Sequence, residues 1–272
     1  MRRVWITCLA LLLAGPFVWL ELGLRGSQPG VSSAPLGWVP EKKKTPAYSW
    51  ERVQRLAGSI SDVAAIALVG NPNRLVMAGR HGRLTVWDVA SGVQTLSIRA
   101  HRWRCRAVAT DADGLRIAVV TGRQIKVYDT RTQQRIYRFP VRTSGAPPLA
   151  MSADGAFLAA ATKPHDVTVW DLADGAVAFH ISELTAGVSA VSLSADGSRV
   201  AVARRDGGVA VWDVGAGKVI RTLGGHGAAV RSVDLPGDGR VLATGSEDKT
   251  AKVWDLDTGA VLATVSYATA PV

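Results

Sequence analysis

Cysteine is scarce: Cys8 and Cys105 are the only two in 272 residues. A disulfide-stapled scaffold and a Cys-based zinc site are thereby excluded. Histidine is nearly as sparse. His81, His101, His165, His180 and His226 stand singly along the chain, which argues against a His-rich metal centre. There is no Gly-rich phosphate loop; the glycines fall in turns at regular spacing and carry no nucleotide signal. Sustained helical spacing of apolar residues is missing beyond residue 50. Acidic charge is also short, with 22 Asp and Glu against 32 Lys and Arg, a net charge of +10. That surplus points to an anionic partner: nucleic acid, phospholipid headgroups or an acidic protein. Apolar residues make up 47%, so wholesale disorder is excluded. The length suits one large domain or two small ones.

What is present begins with an apolar run over residues 4–20, preceded by Arg2 and Arg3. A helix of that length spans about 25 Å and reaches bilayer thickness if it continues to Leu24. The leading arginines favour a cytoplasmic N-terminus. Residues 1–24 are therefore expected to be a transmembrane anchor, with the body on the periplasmic or extracellular side. The alternative is a cleaved signal sequence and a secreted body, although no convincing small-x-small cleavage site follows the run. Residues 25–50 read as a linker, with Pro29, Pro35, Pro40, Pro46 and three consecutive lysines.

The remainder repeats. Apolar-aromatic-Asp triplets end at Trp87-Asp88, Tyr128-Asp129, Trp170-Asp171, Trp212-Asp213 and Trp254-Asp255, at aromatic intervals of 41, 42, 42 and 42. Each repeat holds a short apolar run, a turn such as DADG or SADG, a second run, a polar turn, the W-D strand, a Gly-bearing turn and a fourth run. Val, Ile, Thr and Trp fill the runs, and Gly, Asp, Asn and Pro fill the gaps, which is strand-and-turn chemistry. Four short strands and four turns account for roughly 40 residues. Each period is one four-stranded antiparallel sheet.

On these triplets, with Gly225-His226 and Asp248 in the fifth repeat, residues 51–265 resemble the WD-repeat β-propeller family. The resemblance implies an all-β fold of five blades, as a small closed ring or an open arc, with residues 266–272 as a tail. It also implies a buried hydrogen-bond network in each blade, made by His, a turn Asp, Trp and a Ser or Thr. His226, Asp248 and Trp254 match that set, with Thr244 and Ser246 both near the fourth place. Asp206 and Trp212 match in the fourth repeat, which lacks the His. The second repeat has His101 but Tyr128 for Trp; the first and third keep Trp87 and Trp170 only. A sixth candidate outer strand at 51–57 competes with the one at 259–265. An open ring would leave strand edges available for self-association.

The family's loop arrangement sorts the charge into two faces. One face holds eleven basic against six acidic residues, and the other seven against twelve. The acids suit tight turns. The basic face has no such explanation. It supplies the candidate docking residues Arg80, Arg83, Arg102, Trp103, Arg104, Arg123, Lys163, Arg204 and Arg205. Arg and Trp are the residue types that dominate binding hot spots, although Trp103 also suits blade packing. Cys105, between Arg104 and Arg106, reads either as an activated thiol or as a buried strand residue. No convergent acid, base or nucleophile set is visible, so no catalytic residue, metal or cofactor is assigned. The expected function is a membrane-tethered, non-catalytic scaffold that docks an acidic protein. The alternatives are binding of an anionic lipid or nucleic acid and, more remotely, an enzyme. The export-type N-terminus disfavours nucleic acid.

Overall fold

The computed structural model describes residues 63–266 apart from 70–73, 80, 103 and 144, all within one compact unit. The expected anchor at 1–24, linker at 25–50, strand at 51–57 and tail beyond Ser266 lie outside the described residues, as do Arg80 and Trp103. Among the described residues no helix is long and apolar enough to cross a membrane.

Twenty strands form five four-stranded antiparallel sheets, each in plain sequence order. Sheet 1 is β1 (Val63–Val69), β2 (Arg74–Gly79), β3 (Arg83–Asp88) and β4 (Gln94–Arg99). Sheet 2 is β5 (Cys105–Thr110), β6 (Arg116–Thr121), β7 (Gln124–Asp129) and β8 (Arg135–Pro140). Sheet 3 is β9 (Leu149–Met151), β10 (Phe157–Lys163), β11 (Asp166–Asp171) and β12 (Val177–Ile181). Sheet 4 is β13 (Val188–Leu193), β14 (Arg199–Arg204), β15 (Val209–Asp213) and β16 (Lys218–Leu223). Sheet 5 is β17 (Val230–Asp234), β18 (Val241–Ser246), β19 (Thr250–Asp255) and β20 (Val261–Ser266). The turn between second and third strands is tight in every sheet. Several expected loop residues therefore belong to strand ends: Arg83 opens β3, Lys163 closes β10 and Arg204 closes β14.

Alternation gives the central strands an apolar side chain on each face, so sheets stack face to face. Val76, Leu84 and Val86 meet Ile117 and Val119 between sheets 1 and 2. Val127 and Phe139 meet Leu158 and Trp170 next, with the two rings stacked at 4.6 Å. Val167 and Val169 meet Val200 and Trp212, and Val209 and Val211 meet Leu242 and Trp254. Each such side chain contributes roughly 1.5–3 kcal/mol when fully buried. The first strands pack in chain order, β1 on β5, β5 on β9, β9 on β13 and β13 on β17. Their C-terminal ends border one cleft of about 240 Å³. Among the described residues no comparable packing joins β17 back to β1. Ile66 and Leu68 of β1 remain 43% and 54% exposed.

Two devices tie sheets 2, 3 and 4 each to the next. At the turns between first and second strands, Arg116 donates to the Gly155 carbonyl at 2.6 Å, and Arg199 donates to the Gly239 carbonyl at 2.9 Å. At the same place in sheet 3, Phe157 lies against Gly197, whose φ is +69° and where a Cβ would strike the ring. Glycine is required there both for the backbone and for the space. At the turns between third and fourth strands, Tyr137 Oη donates to the Ala173 carbonyl at 3.1 Å and Arg221 Nε to the Leu256 carbonyl at 3.1 Å. Phe179 rests on Gly217 in the intervening joint. The corresponding residues of sheet 5, by register, are Val241 and Ala263, which are too short to reach outward.

Candidate functional site

Sheet 5 contains a complete polar chain. His226 is bonded through Nδ1 to Asp248 Oδ2 at 2.8 Å and through Nε2 to Thr244 Oγ1 at 2.8 Å. Trp254 Nε1 donates to the same Thr244 oxygen at 2.9 Å. Burial disfavours the charged Asp248 carboxylate. Hydrogen bonds from Thr250, His226 and the Gly227 N–H outweigh it and hold the pKa below the usual carboxylate range. The register shows why the other sheets lack this chain. The counterparts of Thr244 are Met77, Val119, Ala160 and Val202, none of which can bond an indole or imidazole. Trp87 instead donates to Thr85 Oγ1 at 2.9 Å, and Tyr128 to the Ala100 carbonyl at 3.1 Å. Trp170 and Trp212 are buried in intersheet cores.

The aspartates of the triplets are turn residues. Asp88, Asp129, Asp171, Asp213 and Asp255 accept N–H bonds from Ser91, Arg131 and Thr132, Ala173, Ala216 and Thr258 at 2.7–2.8 Å. Asp206 also serves its own turn, accepting from the Gly208 N–H at 2.9 Å and from Arg204 Nε at 3.1 Å.

The candidate docking cations separate on inspection. Lys163 is ion-paired to Asp166 at 2.6 Å and Arg204 to Asp206, so both are neutralised locally. Arg83 bonds Ser97 Oγ. Arg102, Arg104, Arg123 and Arg205 are exposed. Charge collects on sheet 2 and its flanking loops: residues 102–142 hold ten Arg and Lys against three acids, whereas residues 143–187 hold one against five. Arg104, Arg123, Arg131, Arg135, Arg138 and Arg142 are exposed and, among the described residues, in no ion pair. In the β7–β8 register Lys126 stands directly opposite Arg138. Burial first, then the positive fields of Arg135 and Arg138, push the Lys126 ammonium below its usual pKa. Like charges facing each other across a ladder destabilise it. Sorting residues by loop face hides this cluster, because Arg131, Arg135 and Arg138 do not belong to the expected basic face. Counting charge per repeat would have found it.

Cys105 is fully buried, and desolvation pushes its thiol up to about 11 despite nearby Lys126. It is the packed strand residue, not the activated thiol. His165 Nδ1 contacts the Leu184 carbonyl at 2.8 Å, and His180 Nδ1 contacts Thr168 Oγ1 at 3.0 Å. Among the described residues no cluster of His, Cys, Asp and Glu is arranged to hold a metal.

The family model described as WD domain, G-beta repeat matches residues 178–213 and 217–255. Two segments of the chain are WD40 repeats. Each matched WD40 repeat begins near the outer strand of one sheet and ends on the W-D of the next. One repeat in sequence therefore bridges two sheets in space. Human F-box/WD repeat-containing protein 8 is 32% identical over 109 residues, covering 38% of this chain. Transcription factor unc-37 of Caenorhabditis elegans is 27% identical over 112 residues, covering 41%. The chain spans 18% of the length of each relative.

Proposed function

We propose that the protein is a membrane-tethered, non-catalytic WD-repeat scaffold whose second sheet docks an acidic protein segment. The observation that carries this reading is the row of exposed, unpaired arginines on sheet 2 around the Lys126–Arg138 juxtaposition. A cluster that repels itself in the free protein is stabilised when carboxylates arrive, and arginine offers them a bidentate fork. This narrows the docking surface. Arg104 and Arg123 stay in it, Arg131, Arg135 and Arg138 join it, and Lys163 and Arg204 leave it. The tether in this reading is the apolar run 4–20 behind Arg2 and Arg3, with the sheets on the outer side of the membrane.

A fluorescent glutamate-rich peptide titrated into the purified full chain tests the docking. Binding is expected to weaken with salt. Charge reversal at Arg104, Arg123, Arg135 and Arg138 together should weaken it by ~100-fold. Reversal at Arg204 and Arg205 should leave it nearly unchanged. Equal affinity in both variants would overturn the site. Tighter binding to duplex DNA or phosphatidylserine vesicles would overturn the choice of partner. Carbonate-resistant sedimentation of the full chain with membranes, with residues 1–24 retained, is the outcome expected of an anchor. A mature chain lacking them would mean a cleaved signal.

A further inference from the structure

Among the described residues every sheet ends outward on its fourth strand, with no described strand paired beyond it, so its edge carries a row of backbone N–H and C=O groups. Four of these edges are defended. Arg99 ends β4; β8 carries Arg135, Arg138 and Pro140; β12 carries His180; β16 carries Lys218 and Arg221. The last, β20, reads Val-Leu-Ala-Thr-Val-Ser and has neither charge nor proline. Val261 and Leu262 are 44% and 56% exposed, and Thr264 and Ser266 are exposed as well. Exposed valine at the start of the strand is not special, since Val177 and Val219 share it. The absence of charge is what distinguishes β20.

Charge also selects the partner. In a two-fold antiparallel pair a strand meets its own copy, so a strand carrying charge of one sign doubles that charge within the pair. Pairing β8 with β8 would gather four arginines, and β16 with β16 two lysines and two arginines. Among the described outer strands that is a cost β20 alone avoids without a charge, a proline or a histidine to neutralise. We propose that β20 is a self-association edge, joining sheet 5 of one copy to sheet 5 of a second as one continuous eight-stranded antiparallel sheet. This surface is separate from the basic flank on sheet 2 and does not depend on it.

Site-directed crosslinking of the full chain, with analytical ultracentrifugation, tests the pairing. The Thr264→Cys protein should form an intermolecular disulfide on mild oxidation. Thr222→Cys, at the matching register place on β16, should not. The unmodified chain should sediment as a dimer, and Leu262→Lys with Thr264→Lys should weaken dimerisation at least ~10-fold. A monomer at all concentrations overturns the proposal. So does a dimer indifferent to the lysines, or equal crosslinking from residue 222.

Discussion

Sheets 2 and 5 share one strand order and one register but spend their side chains differently. Sheet 5 locks itself with four polar groups around Thr244, and its surface Arg231 is paired to Glu247 at 2.8 Å. Sheet 2 has Val119 in place of Thr244, has no such chain, and gathers unpaired arginines on its flank. Sheet 2 also reaches forward into its neighbour through Arg116 and Tyr137, where sheet 5 has Val241 and Ala263. The frame thus tolerates loss of its internal polar network when intersheet packing and joints hold a sheet from both sides. Freed of that network, a sheet can devote its surface to charge.

Breaking sheet 5 should give the largest effect. Trp254→Ala removes a buried ring and a bond to Thr244, and is expected to cost about 3–5 kcal/mol in urea unfolding. Thr244→Val turns sheet 5 into the sheet 2 pattern. It leaves His226 Nε2 and the Trp254 indole without their partner, so a loss of about 1–3 kcal/mol is expected, whereas Val119→Ala in sheet 2 removes no polar bond. A Val-like result at both positions would erase the contrast.

Gly197→Ala attacks a joint instead of a sheet. With φ at +69° and Phe157 in the way, it should destabilise by about 1 kcal/mol or more, and Phe157→Ala in the same chain should recover part of the loss. Acid sharpens the comparison in another way. The Asp248 pKa is lower in the folded chain than in the unfolded one, so its stabilisation is complete above the unfolded carboxylate value near 4. It is lost as pH falls through the folded value. Asp248→Asn should therefore flatten the acid limb of a thermal melt series, and an unchanged limb would remove Asp248 from the account. The smallest effect belongs to sheet 2. Arg138→Thr relieves the charge opposite Lys126 and should stabilise by a few tenths of a kcal/mol, about 0.2–1. The same substitution should weaken the glutamate-rich peptide, an opposition of stability and binding that a purely structural arginine would not produce.

Much of this was readable beforehand. The spacing of Trp87, Tyr128, Trp170, Trp212 and Trp254 implied five four-stranded sheets, because strand-turn chemistry fills a 42-residue period in one way. The Asp-Gly turns were equally plain. The fourth member of the sheet 5 network was not, since Thr244 and Ser246 are two apart and point to the same face of β18; only proximity to His226 separates them. The neutralised cations were hidden for a similar reason. Lys163–Asp166 spans a tight turn and Arg204–Asp206 lies at the start of one, and a tally by face counts both charges without seeing that they touch. Edge protection on β4, β8, β12 and β16 was visible as letters, but its meaning required knowing which strands are outermost.

The arginine and tyrosine joints of sheets 2 and 4 all point one way, from a sheet to the one synthesised after it. During translation this makes the nascent chain perpetually owed a neighbour. Arg116 and Tyr137 emerge before the carbonyls of Gly155 and Ala173 that will receive them, and Arg199 and Arg221 before those of Gly239 and Leu256. A chain that has emerged only as far as Asp129 holds a sheet still lacking both its outer strand and its acceptor. Only when sheet 5 arrives does the demand cease, because Val241 and Ala263 ask for nothing further.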